Sequence, residues 1–328
     1  MNASLDRVYR GCRVCVTGGA GFIGSHLCDA LVRLGAEVAV IDDLSSGVAD
    51  HLEGAGTTVR FIQASILDPA ALLDAVGDAA IIFHQAALTS VPDSIERPQV
   101  YHEVNATGTL RVLEAAKLRA AAGHESRIRI VYAASSAVYG DRQDERLVET
   151  LSPLPMSPYA VAKYTGELLV RAYALCYGIS GVSLRYFNVF GPRQRPGSAY
   201  AAAIPAFAQA LLGGDRPVVY GDGTQTRDFT HVANVVHANL LAGASTRELT
   251  GQAVNIGCGT TTTVLELIEK IAAVLGVVAD PDLVPARVGD VLHSRADISA
   301  AVELLGYEPV MDLDAGLADA MAYYRSLS

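Results

Sequence analysis

Tyr159 and Lys163 stand four residues apart in Ser157-Pro158-Tyr159-Ala160-Val161-Ala162-Lys163, so a helix here puts both on one face. Pro158 suits a first-turn position and sets Tyr159 near the helix start. A phenol is a poor base at its ordinary pKa of roughly 10. A neighbouring ammonium favours the phenolate, and a tyrosine can then take a proton from an alcohol near neutral pH. Ala133-Ala134-Ser135-Ser136 ends a strand-like run with two hydroxyls, and Ser135 could hold the same alcohol oxygen. Tyr-x-x-x-Lys alone is common on amphipathic helices; the serines raise its weight.

A second cluster is built to bind. Thr17-Gly18-Gly19-Ala20-Gly21-Phe22-Ile23-Gly24 falls between a strand-like run and a helical one. Gly19, Gly21 and Gly24 fit G-x-G-x-x-G, whereas Gly18, Gly21 and Gly24 fit G-x-x-G-x-x-G. Either frame gives a tight turn, close backbone approach to a pyrophosphate, and free N–H groups at a helix start. Asp42, at the end of the next strand, lies at the distance expected for holding a ribose hydroxyl pair. Its charge favours NAD over NADP, whose 2′-phosphate it would repel. The positive ring of an oxidised nicotinamide near Tyr159 would further favour the phenolate.

The elements that must position these groups alternate. Strand-like runs at 13–17, 37–41, 58–63, 80–84, 127–133 and 181–186 are separated by helical patterns, notably 23–34, 98–121 and 157–177. This alternation predicts an α/β fold, a Rossmann-type doubly wound parallel sheet. Several strands are apolar throughout, as helices on both faces require. After about residue 188 Gly-Pro and Gly-Asp turns break the rhythm, leaving clear helices at 263–275 and 315–326. The expected division is a dinucleotide-binding domain, 1–187, and a smaller α/β substrate-binding domain, 188–328, with some later segments returning to the first.

Composition narrows the classes. The 328 residues are 51% hydrophobic and 18% charged, which excludes a disordered or fibrous chain. No apolar run approaches the roughly 18 residues of a spanning helix, and residues 1–10 lack a secretory apolar stretch. A net charge of −10 disfavours nucleic acid and anionic lipid as partners. The five cysteines are odd in number and scattered, as in reduced cytoplasmic proteins, so a soluble cytoplasmic enzyme is expected. Cys12 and Cys15 spell C-x-x-C, yet a strand turns positions three apart to opposite faces. They read as buried small hydrophobes, and no metal site is expected.

Gly18 to Gly24, His84-Gln85-Ala86-Ala87, Asn105, Ser135-Ser136, Tyr139-Gly140, Tyr159 with Lys163, and Tyr186-Phe187-Asn188-Val189-Phe190-Gly191-Pro192 together resemble the extended short-chain dehydrogenase/reductases that act on nucleotide sugars. The resemblance runs from about Val14 to Tyr324. Within that family, residues 84–91, 198–205 and 289–297 are most similar to UDP-hexose 4-epimerases, particularly those acting on N-acetylhexosamines.

The resemblance implies a tightly bound NAD, held by Gly18, Gly21, Phe22, Ile23, Gly24, Asp42, Ser65, Ile66, Gln85, Ala86, Ala87, Asn105, Tyr159, Lys163 and Tyr186, with Tyr186 and Phe187 walling the nicotinamide. Many relatives carry Asp where Ser65 stands, so the charged contact with adenine is missing. For the substrate it implies Asn188, Arg227 and Arg287 on the pyrophosphate and Tyr220 against the base, two arginines being a fitting bidentate clamp. Ser90, Ser135, Ser136, Ala203, Val218, Asp290 and Ser294 would complete that pocket, small Ser294 leaving room for an acetamido group at sugar C2.

The implied reaction begins with Tyr159 taking the C4 hydroxyl proton while C4 loses hydride to NAD. The 4-keto sugar then swings about its phosphate linkage and regains hydride on its other face. A 4,6-dehydratase needs an acid pair at the positions of Ser136 and Ala137. The run Gly191-Pro192-Arg193-Gln194-Arg195-Pro196 is similar to enzymes acting on UDP-glucuronate and keeps that substrate open, as well as a decarboxylase on the same fold. A catalytically silent dinucleotide-binding regulator would be expected to lack Tyr159 or Lys163. By resemblance, helices 98–121 and 157–177 pair with their copies in a homodimer.

Overall fold

A computed structural model describes residues 3–122, 128–142, 146–195, 203–286 and 291–327. Its spine is a seven-stranded sheet in which every pairing is parallel. β1 (Arg13–Thr17), β2 (Glu37–Asp42), β3 (Val59–Gln63), β4 (Ile81–His84), β5 (Arg129–Ser135) and β6 (Ser180–Tyr186) are joined by an edge strand, Thr250–Ile256. The order across the sheet is Thr250–Ile256, β6, β5, β4, β1, β2, β3. The winding reverses between β1 and β4, and ligands of such sheets sit in the crevice beyond the strand ends there. β2 and β5 run further than the pattern suggests, which carries Asp42 and Ser135 to that crevice.

Both faces are covered, which is why the central strands lack alternation. On one face Leu27 and Leu31 of helix Phe22–Arg33 pack with Val235 and Leu240 of helix Val232–Ala244. On the other lie helices Pro69–Val76, Gly108–Ala121 and Pro158–Tyr177. Cys15 is buried in that second layer as expected, whereas Cys12, just before β1, is only half-buried against the first because it precedes the strand. The 98–121 stretch is helical but widens at Glu103–Thr107 into a π turn, between Pro98–His102 and Gly108–Ala121.

The later half builds a second core from helices Ala203–Gly213, Val264–Leu275 and Leu313–Leu327, around Phe190, Phe207, Phe229 and Leu267. Short strands fasten its loops: Thr226–Arg227 pairs with Thr262–Thr263 and with His293–Ser294. Helix Val232–Ala244 and strand Thr250–Ile256 belong instead to the large sheet, so the two bodies interleave along the chain. Among the described residues no helix is long and apolar enough to cross a membrane.

Candidate active site

The glycine turn closes on the loop after β4. Gly18 has φ +69°, and a Cβ there would lie 2.6 Å from the Ala86 nitrogen. A Cβ at Gly24 would strike the Gly18 carbonyl, and one at Gly19 would meet the Val40 methyls at 2.7 Å. Gly18, Gly21 and Gly24 line the crevice, as do Phe22 and Ile23. Of the two frames in the sequence, the 18/21/24 one therefore faces the cavity, and Gly19 serves packing on β2. Helix Phe22–Arg33 starts at Gly21 without a side-chain cap, leaving its first N–H groups and positive dipole end for an anion. Asp42 Oδ2 accepts from the Ala20 N–H (3.0 Å) and Oδ1 from the Leu44 N–H (2.9 Å), fixing the carboxylate at the β2 end. Ser65 and Ile66 lie further along the same wall.

Tyr159 and Lys163 come next. Ser157 caps their helix, its Oγ accepting from the Ala160 N–H at 3.2 Å, and Pro158 occupies the first turn. Both side chains line the cavity on the face toward Ser135 and Ser136. Lys163 Nζ donates to the Ala133 carbonyl (2.9 Å), and the Tyr132 hydroxyl donates to the Lys163 carbonyl (3.2 Å), which locks helix to β5. Burial pushes the Tyr159 phenol up, opposed by its hydrogen bond with Ser135. Burial also pushes Lys163 down to about 7, opposed by Glu167. Both shifts run against a phenolate–ammonium pair, so a cation seated in the cavity is what would bring Tyr159 down.

Gln85, Ala86 and Ala87 form the opposite wall with Tyr186. The Tyr186 hydroxyl accepts from Asn239 Nδ2 (2.8 Å) and Gln85 Nε2 (3.2 Å), and Gln85 Nε2 also reaches Asn239 Oδ1 (3.0 Å). No motif marks Asn239; its signal in the sequence is an amide, one of two with Asn234, in the largely apolar helix Val232–Ala244. Below, His84 bridges Thr17 (2.7 Å) and Thr109 (3.0 Å), and burial holds it neutral, its pKa pushed down to about 3.

The same cavity continues into the second body, where Ser90, Asn188, Ala203, Val218, Tyr220, Arg227 and Ser294 line it. Arg227 and Ser294 are register partners on adjacent short strands. Asn188 adopts φ +28° and donates from Nδ2 to the Asp228 carbonyl (3.2 Å). Asp228, another residue that no motif flags, is wholly buried and accepts from the Cys258, Gly259 and Ala296 N–H groups (2.8, 2.9 and 3.3 Å). It stitches three loops behind Arg227, and burial pushes its pKa up to about 6. Arg287 and Asp290 lie outside the described residues.

Two expected residues are placed elsewhere. Asn105 is fully buried in the π turn, its amide donating to the Leu88 carbonyl and accepting from the Leu88 N–H (both 2.8 Å), so it shapes the 85–90 loop and does not line the cavity. Phe187 points away from Tyr186 into a small core with Tyr139, Leu147 and Ala296, and cannot wall a ring in the crevice.

Known proteins share this architecture. The model of the NAD dependent epimerase/dehydratase family matches residues 14–257. The chain belongs to this family. It is 38% identical to the UDP-glucose 4-epimerase of Mycolicibacterium smegmatis, over 96% of this chain and 99% of that one. Its structure is similar to a UDP-N-acetylglucosamine 4-epimerase from Methanobrevibacter ruminantium in complex with UDP-N-acetylmuramic acid, with a TM-score of 0.91, 37% identity and 97% and 100% of the two chains covered. It is also similar to a UDP-glucuronic acid 4-epimerase from Bacillus cereus in complex with UDP-glucuronic acid and NAD, with a TM-score of 0.88, 31% identity and 96% and 100% covered. As a nucleotide-sugar epimerase/dehydratase on the extended short-chain dehydrogenase/reductase fold, the chain uses NAD. The glycine cradle that admits no Cβ, the uncapped helix start and the fixed Asp42 carboxylate fit that dinucleotide.

Proposed function

We propose that the chain is a UDP-sugar 4-epimerase acting on UDP-N-acetylglucosamine and UDP-N-acetylgalactosamine, with UDP-glucose and UDP-galactose as further substrates. One observation carries this reading. A single cavity of about 1410 Å³ runs from Gly18 past Tyr159 to Arg227 and Ser294. That exceeds the roughly 300–1,000 Å³ of a one-ligand site and leaves room for two nucleotides meeting at Tyr159.

In this reading Tyr159 takes the proton of the C4 hydroxyl and later returns it, with Ser135 holding that oxygen and Lys163 supplying positive charge beside the phenolate. Bound NAD supplies the acceptor, and then the donor, of the C4 hydride. One O–H and one C–H bond break and both are remade, so there is no net oxidation. Asn188, Tyr220, Arg227 and Arg287 grip the nucleotide end, and the lightly held sugar is free to turn over. Ser294, small and at the sugar end, supports an N-acetylated substrate. Ser136 and Ala137 line the cavity without a carboxyl group, which counts against a dehydratase. Arg195, also on the cavity wall, supports UDP-glucuronate as a second reading, since its cation could meet the uronate. The active form in this proposal is a homodimer, built on the exposed apolar residues Val161, Leu168 and Leu175, spaced by seven along helix Pro158–Tyr177.

Proton NMR of the purified enzyme with UDP-N-acetylglucosamine, UDP-glucose and UDP-glucuronate in separate tubes tests this. A galacto-configured product from the N-acetylated sugar is expected. Product from UDP-glucuronate alone would replace the substrate assignment, and silence in all three with NAD added would overturn epimerisation.

A further inference from the structure

Beside Lys163 lies a pair of charges that the proposed chemistry leaves unused. Glu167 follows Lys163 by one helical turn, and Arg185 reaches it from β6: Nε to Oε1 is 3.0 Å and Nη2 to Oε2 is 2.7 Å. Both side chains are about 95% buried, and neither lines the cavity. The Arg185 guanidinium lies 4.8 Å from the centre of the Tyr139 ring. A buried ion pair is costly and is often replaceable by apolar residues without loss of stability. Its placement one turn from a buried lysine gives it another use.

We propose that Glu167, held ionised by Arg185, is a positioning residue for Lys163: its carboxylate keeps the Lys163 side chain an ammonium where water is excluded. Lys163 has the Ala133 carbonyl as its hydrogen-bond acceptor, a contact that amine and ammonium make alike. Burial alone favours the amine. The groups around it are Tyr159 and Glu167 on its own helix, His84 on β4, Tyr132 on β5, whose ring centre is 5.3 Å from Nζ, and Arg185 on β6 behind Glu167. Of these, with Tyr159 in its phenol form, Glu167 alone carries negative charge. The row Lys163, Glu167, Arg185 thus alternates plus, minus, plus from the cavity wall inward. An opposite charge one turn away in such a site is worth about one to two pKa units, a ten- to hundredfold change in the ammonium-to-amine ratio. The inference rests on Lys163 belonging to the catalytic pair.

The chain has three lysines, Lys117, Lys163 and Lys270, so 13C-lysine labelling gives three side-chain signals to follow through pH. Loss of one signal in Lys163→Met assigns it. In Glu167→Gln, and in Glu167→Met/Arg185→Met, which removes both charges of the pair together and strands neither, the Lys163 midpoint is expected to fall by at least about one unit. Lys117 and Lys270 should not move. In the NAD-loaded variants the alkaline limb of kcat should shift down by the same amount. An unchanged midpoint in either folded variant would reduce the pair to a strut between helix and sheet. A fall in Glu167→Gln without one in the double variant would assign the effect to a stranded Arg185 and also overturn the proposal. The titration needs no substrate, so it stands apart from whether any UDP-sugar is turned over.

Discussion

Replacing Gly18 by alanine adds one carbon to a turn that has no space for it, and the loss can be divided into two parts. Backbone strain comes first: at φ +69° an L side chain costs about 1 kcal/mol. At Gly178, also at φ +69°, a Cβ would meet nothing within 4 Å, so Gly178→Ala carries that strain alone. At Gly18 the new carbon would sit 2.6 Å from the Ala86 nitrogen and 2.7 Å from its Cα, where ordinary contact begins at 3.4 Å. The Gln85–Ala87 backbone must therefore retreat by about 0.8 Å (3.4 − 2.6). Overpacking of this kind costs about 1–3 kcal/mol, which puts Gly18→Ala at about 2–4 kcal/mol against about 1 for Gly178→Ala. Because the displaced loop is a wall of the dinucleotide crevice, Gly18→Ala should also lose its bound NAD during purification, while Gly178→Ala retains it. Urea unfolding of the stripped proteins and release of NAD from the purified ones measure both. Equal destabilisation with equal retention would refute the close-approach argument.

Four shorter predictions test other parts of the molecule. Tyr159→Phe should lower kcat by about 10²–10⁴-fold while leaving UDP-sugar affinity within a few fold, measured by NMR kinetics and calorimetry; an equal loss of affinity would make Tyr159 a binding group. Ser294→Tyr should abolish turnover of N-acetylated substrates and spare plain hexoses, and a parallel loss of both in a competition assay would sink the steric explanation. Asp228 has its folded pKa raised, so between about pH 4 and 6 the folded chain holds a proton the unfolded chain has released, and stability falls by about 3 kcal/mol as pH rises through that window. Asp228→Asn lacks this dependence; its stability deficit should be largest at pH 4 and shrink by pH 7, and a constant gap in pH-dependent unfolding would contradict the assignment. Val161→Glu with Leu168→Glu should convert the proposed dimer to monomer in light scattering; a single species of unchanged mass would remove that helix from the interface.

The sheet is readable in the sequence because strands buried on both faces become continuous apolar runs, as in Ile81–His84 and Arg129–Ser135. Burial on several sides also hides helix Val232–Ala244: lying on the sheet beside helix Phe22–Arg33 and packed by helix Ala3–Tyr9, it is apolar nearly all round and shows no amphipathic period. The glycine turn points to a binding site, but two frames fit it, and the neighbouring Val40 methyls and Ala86 backbone, distant in sequence, separate them. The resemblance sets Phe187 in the crevice beside Tyr186 although adjacent strand residues face opposite ways, so period two already contains the answer. Asn105 sits in a motif whose order says nothing about whether its amide meets a ligand or the Leu88 backbone. The four-residue step from Lys163 to Glu167 is visible in the chain, and Arg185 stands out as a charge in a buried strand. Their pairing depends on which helix covers β6, which is a tertiary fact.

The return of strand Thr250–Ile256 to the edge of β6 also bears on how the protein is made. A ribosome must synthesise everything through residue 256 before the large sheet has its full set of strands, and until then β6 presents an open, hydrogen-bond-hungry margin. A nascent chain stalled or cleaved near residue 190 would carry the glycine cradle, Tyr159 and Lys163, yet expose that margin to any other extended chain nearby. Fragments ending there should aggregate, not accumulate as a dinucleotide-binding half, and of the second body's helices only Ala203–Gly213 is translated before the large sheet is complete.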